Sequence, residues 1–176
     1  MNRTLWYELR PKDDRLVMAL GEHGRFNYRL KYERGRVTEW PDLRWSSDEA
    51  VPRDWPWPVD SFRLVSPRVR EVFEENGGPR DDIQWIPGMV VTNDGVEHPY
   101  WVPHFPTWHD VLDEDETTWG PSGLPMRWVL SCGKLDGLSV FIVPGLRDLV
   151  IVSPAVLEDL QRIGATGYKA EPARRV

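Results

Sequence analysis

"IVSPAVLEDLQRIGATG", residues 151–167, carries a whole strand-to-helix transition in seventeen letters. Ile151 and Val152 are strand residues. Ser153 can offer its hydroxyl to the first unpaired N–H groups of a helix, and Pro154 suits the first helical position, where its missing N–H costs little. At 100° per residue Val156, Leu157, Leu160 and Ile163 share one stripe, Val152 and Leu157 stand at the spacing of a hydrophobic staple, and Gly164 supplies the left-handed stop. A near-twin, "LVSPRVREVFEENGG", occupies residues 64–78. There Ser66 and Pro67 open the helix, Val69, Val72 and Phe73 face one way, Arg68, Arg70, Glu71, Glu74 and Glu75 face the other, and Asn76 through Pro79 end it. The two stretches share a grammar and little identity, so both serines read as caps and not as nucleophiles.

The segments around these helices read mostly as strands. In the first forty-five residues "TLWYEL", "RLVMAL", "FNYRLKY" and "RVTEW" are rich in aromatic and branched residues between turn-like breaks, which predicts a β-meander. Prolines at 41, 52, 56 and 58 then forbid long ladders, predicting a connecting loop ordered by Trp45, Trp55 and Trp57. "FRLV", "IQWI", "MVVT", "YWV", "RWVLSC", "SVFIV" and "LVIV" are further strand candidates, with "NDG" at 93–95 as a turn. Strands in succession with two or three short amphipathic helices predict an α+β fold, mainly of antiparallel sheet. The 176 residues suit one domain, residues 1–60 being a strand-rich lead-in with its Pro/Trp loop and 61–176 the α+β core.

Composition narrows the function classes. The net charge is −6, from 22 Lys plus Arg against 28 Asp plus Glu, which disfavours nucleic acid as a partner and fits either a well-solvated protein or one with a basic protein partner. No stretch nears the roughly 20 apolar residues of a membrane span, and the start lacks a signal-peptide core, so a cytoplasmic protein without membrane contact is expected. The single cysteine, Cys132, lies in an apolar run and reads as a buried thiol in a strand. No cofactor motif is present: "CGKLDG" is not a phosphate loop, and "GPSGLP" lacks the spacing of a nucleophile elbow.

Three surface readings remain. His98, His104 and His109 fall within twelve residues; a helical turn over 107–114 would set His109 and Asp113 at i and i+4, a basis for a metal- or His-dependent hydrolase. Trp108, Val111 and Leu112 would then face the core. Asp110, Asp113, Glu114, Asp115 and Glu116 place five carboxylates in seven positions, either a solvated loop or a docking patch for a basic protein, with Trp101, Phe105 and Trp119 as neighbouring aromatic anchors. Trp55 and Trp57 could instead form an exposed recognition patch of a general interaction module.

From about residue 60 to 172 the order of motifs resembles the bacterial polymorphic-toxin immunity proteins of immunity family eleven, the myxobacterial self-recognition type. The matching pieces are Ser66 with its helix, Ile86 and Pro87, Tyr100, the "DVLD" that ends at Asp113, and the run from Ser153 through Gly164, Thr166, Gly167 and Tyr168. "WVPHFPTWH" at 101–109 and "WPWP" at 55–58 depart from that pattern. The resemblance implies a non-enzymatic inhibitor that binds a cognate toxin directly, with no catalytic residues to carry over.

Overall fold

The computed structural model describes residues 5–12, 16–21, 23–58, 60, 62–143 and 145–176, without the side chains of residues 16, 17, 147 and 148. Thr4, Asp13, Asp14, Arg15 and Glu22, which belong to the first predicted segments and turns, lie outside the described residues.

The fold is α+β in a single compact domain, and its centre is a four-stranded antiparallel sheet. Its order is β11 (Tyr168–Pro172), β1 (Tyr7–Pro11), β10 (Leu146–Val152) and β9 (Val140–Val143). Around β9 and the end of β10 this sheet is buried on both faces, which is why "VFIV" and "LVIV" are unbroken apolar runs. Leu9, Val140, Ile142, Val150 and Val152 face a cluster formed with α2 (Pro67–Glu75) and α3 (Pro154–Arg162). Trp6, Phe141, Val143 and Ile151 face a second cluster supplied by Val111, Leu112, Leu130, Leu135 and Leu138.

Both serine-capped helices form as their sequences dictate. The Ser66 hydroxyl accepts from Val69 N at 3.4 Å and that of Ser153 from Val156 N at 3.5 Å, each with proline just inside the helix. Val152 and Leu157 are both buried, as a staple requires.

A second, mixed sheet has the order β4 (Trp57–Pro58), β2 (Leu16–Ala19), β3 (Arg44–Ser47), β5 (Gln84–Thr92) and β6 (Glu97–His104). The β2–β4 and β3–β5 pairs are parallel, and β5–β6 is a long antiparallel hairpin closed at 93–96. Pro87 sits inside β5 without breaking it. Met89 N donates to Leu43 O just before β3 begins, so the nitrogen of residue 87 faces the same side beyond the end of that neighbour. Gly88 is needed there, because a Cβ would lie 2.7 Å from the Trp45 ring.

Several expected strands are not strands. Residues 26–32 belong to α1 (Gly24–Tyr32), which packs Phe26 and Leu30 on the second sheet with Leu43, Trp45, Ile86, Tyr100 and Val102. Residues 36–40 are irregular, and β1 and β2 join different sheets, so the predicted meander does not exist. "FRLV" contributes only the Val65–Trp101 bridge, and "RWVLSC" breaks into the end of β8 (Pro125–Arg127), a bridge at Leu130 and a 3-10 turn at Cys132–Lys134. Cys132 is accordingly exposed, not buried in a strand. β8 pairs with β7 (Thr118–Trp119) in a small hairpin of its own.

The Pro/Trp loop is tied in by one carboxylate. Asp54 Oδ1 accepts from Ser66 Oγ at 2.7 Å and Arg68 Nε at 3.1 Å. Its Oδ2 accepts from Arg68 Nη2 at 2.7 Å, Thr166 N at 2.9 Å and Thr166 Oγ1 at 3.2 Å. Trp55 N then donates to Thr166 O, Arg68 Nη1 donates to Ile163 O, and the Trp55 indole fills the cluster between α2 and α3. Gly167 follows at φ +87°, where a Cβ would stand 2.4 Å from Trp55 O. Burial alone would raise the Asp54 pKa, but the hydrogen bonds from Arg68, Ser66 and Thr166 outweigh it and hold the carboxyl below its ordinary range.

Asp54→Ala strands Ser66, Thr166 and Arg68 together and is expected to cost about 3 kcal/mol in urea unfolding, the scale of several hydrogen bonds lost from one buried carboxylate. Because the folded pKa is depressed, this contribution is complete above the unfolded value and drains as pH falls through the folded one; the loss on acidification should be shallower in Asp54→Asn.

Candidate functional site

The acidic tract is built on extended chain, not on a helical turn. After β6 the backbone passes through Phe105 and Pro106, and residues 111–113 pair with 129–131: Ser131 N donates to Val111 O, Asp113 N donates to Val129 O, and Leu112 bridges Leu130. This pairing buries Val111 and Leu112, as expected of them, and removes the helical geometry that would have aligned His109 with Asp113.

Asp113 then turns inward on its own backbone. Its Oδ1 accepts from Asp115 N at 3.2 Å and Glu116 N at 3.1 Å, and its carbonyl accepts from Thr117 N. That is an Asx-type turn. Thr117 is buried and locks the turn to Val129 in both directions. Glu114, Asp115 and Glu116 are consequently held outward and exposed.

Lys134, from the 3-10 turn, is the cation that makes this concentration of charge tolerable. Its Nζ lies 2.8 Å from Asp110 Oδ2 and 3.9 Å from Glu114 Oε1, and it also donates to Leu112 O. The hydrogen bond to Asp110, with the field of the neighbouring carboxylates, raises its pKa. Five carboxylates against one lysine still leave the turn strongly negative.

Beside the turn lies a cleft of about 420 Å³, lined among others by Arg34, Trp108, His109, Asp110, Trp119 and Leu124. Trp119 is 47% exposed, and the Arg34 guanidinium lies 4.9 Å from the centroid of the Trp108 ring. The buried Trp108 indole N–H has no hydrogen-bond partner among the described residues. The cleft thus offers an aromatic wall, the Arg34 guanidinium and an acidic lip, the features of a surface that receives a side chain.

The other predicted residues go elsewhere. Phe105 is buried in the main core under the Arg63 guanidinium, so it is no surface anchor. Trp101 is half-buried against the same core with Arg70 4.1 Å above its ring, and neither residue lines the cleft. Trp55 is 1% exposed and cannot serve an exposed Trp55/Trp57 patch; Trp57 is half-buried in β4.

The three histidines do not converge. His98 and His104 stand six residues apart on β6, roughly 20 Å along an extended strand. His104 is buried, its Nε2–H donates to Gly35 O at 2.8 Å, and burial pushes its pKa below the ordinary value, so it is a neutral core residue. Among the described residues no group of three His, Cys, Asp or Glu side chains is arranged to hold a metal, so the set His98, His104, His109 and Asp113 is not assembled.

Lys134, Arg34, Trp108 and Leu124 were not among the expected site residues. Only Lys134 had a signal, since five carboxylates in seven positions call for a cation nearby; the rest come together through the fold. No protein-family model matches the chain, and no curated protein matches it.

Asp113→Ala removes the acceptor that fixes the turn. Amide exchange of Asp115 and Glu116 should then rise by about tenfold or more, the equivalent of one lost local hydrogen bond, while amides of β10 stay protected.

Proposed function

We propose that this protein is an immunity protein: it binds one cognate bacterial toxin, of basic surface, and neutralises it by direct contact through the acidic turn 110–116 and Trp119. The observation that carries this reading is the presentation of Glu114, Asp115 and Glu116 around a backbone turn fixed by Asp113, next to an indole left 47% exposed. A solvated loop needs no such fixing. A docking surface does, because a preorganised turn loses less conformational freedom when a partner arrives.

The physical division of labour follows from the residue types. Exposed carboxylates speed encounter with a cationic surface and reject anionic ones, while an aromatic beside a cleft supplies the desolvated anchor that slows dissociation. The order of motifs from Ser66 to Tyr168, which resembles the immunity proteins named above, supports the same reading. Inhibition by occupancy requires no catalytic constellation in the inhibitor. The hydrolase reading loses its footing with the separation of His98 from His104, and the Trp55/Trp57 module with the burial of Trp55.

Co-expression with the toxin encoded beside it should give a stable complex and protect the host. The triple variant Glu114→Gln, Asp115→Asn, Glu116→Gln should slow association at least about tenfold at low salt, with the difference shrinking as salt is raised. Continued killing without co-purification, or a triple variant indistinguishable from the parent, contradicts the proposal.

A further inference from the structure

A second cleft, of about 360 Å³, opens at the edge of the central sheet, lined by Glu8 and Arg10 of β1, Arg127 of β8, Trp128, Glu171 of β11 and Arg174 among others. Glu8 is only 8% exposed. Its Oε1 accepts from Arg10 Nη2 at 3.1 Å, whereas its buried Oε2 has no hydrogen-bond partner among the described residues. Directly across the ladder stands Glu171, so two carboxylates share one cross-strand position, an arrangement that is unfavourable unless something lies between or beside them. Among the described residues, the guanidinium groups of Arg127 and Arg174 make no hydrogen bond or ion pair, although both line the cleft.

These groups restrict the ligand. A simple cation would suit Glu8 and Glu171 but would meet three arginines. A fully deprotonated anion such as sulfate would suit Arg127 and Arg174 but would set its lone pairs against those of Glu8 Oε2. A phosphate that keeps a proton satisfies both: its P–OH donates to the carboxylate, and its other oxygens accept from the two guanidinium groups.

We propose that the cleft formed by Glu8, Arg10, Arg127, Glu171 and Arg174 is a binding site for a protonated phosphate, free or as the terminal group of a larger ligand. The site stands apart from the acidic turn and does not depend on the toxin reading. The β7–β8 hairpin lies between the two, giving Trp119 to one cleft and Arg127 to the other.

Titration calorimetry of the full chain with inorganic phosphate, sulfate and O-phosphoserine, at pH 5.5 and 7.5 and constant ionic strength, tests this. Phosphate should bind at least about tenfold more tightly than sulfate, and Arg127→Ala and Arg174→Ala should each weaken it about tenfold, the scale of one charge-assisted hydrogen bond. Both arginines are exposed, so these variants keep the fold. Glu8→Gln, which preserves the side-chain shape, should narrow the preference for phosphate over sulfate. Tighter binding of inorganic phosphate at both pH values marks the free anion as ligand. Tighter binding of the ester at pH 5.5, fading above its second pKa of about 6, marks a phosphorylated one. Equal affinity for sulfate and phosphate, or no binding of either phosphate, overturns the proposal.

Discussion

One buried carboxylate, Asp54, holds the two halves of this molecule in register. It lies in a loop that four prolines keep from joining a long ladder, yet it receives five hydrogen bonds from the cap and first turn of one helix and from the chain just beyond the other. Thr166 is 112 residues away in sequence. Closing so long a loop carries an entropic cost, offset here by charge-assisted bonds and by the Trp55 indole that Asp54 positions between α2 and α3. The two serine-proline stretches are therefore more than parallel pieces of grammar. Ser66 and Thr166 meet on the same carboxylate, and Gly167 is glycine because the Trp55 carbonyl occupies the space where a Cβ would be.

What could be read in advance was what is written locally. α2 and α3 carry cap, stripe and stop within about fifteen residues, and β9 and β10 announce a sheet buried on both faces by their unbroken apolar runs. α1 misled because Phe26, Tyr28, Leu30 and Tyr32 alternate as a strand would. The fold uses the same residues at i and i+4: Phe26 and Leu30 enter the core, and Tyr28 and Tyr32 stack outside at 4.3 Å. β3 was hidden between prolines, marked only by the inward alternation of Trp45 and Ser47. The α+β class holds despite these differences because the apolar runs of β5, β6, β9 and β10 are strands and the two serine-capped stretches are helices.

The candidate site shows the same division. Five carboxylates in seven positions are visible in any reading, but whether they form a flexible tract or a fixed surface depends on Asp113 accepting two backbone N–H groups and on Lys134 arriving from a different turn. Phe105 could not be told from an anchor because aromatic residues serve cores and interfaces alike; only its burial separates the roles. The histidines looked clustered because sequence distance was short, while an extended strand sets two of them far apart. The scaffold tolerates the acidic surface because Val111, Leu112 and Thr117 are buried beneath it, so variation at 114–116 leaves the core untouched.

The most direct measurement is a hydrogen-exchange footprint of the protein alone and mixed with the toxin proposed as its partner. New protection should be confined to residues 108–124, the acidic turn with its cleft, while the already protected strands β1 and β10 do not change. Protection centred on another face, with 108–124 exchanging as in the free protein, contradicts the proposed contact through the acidic turn.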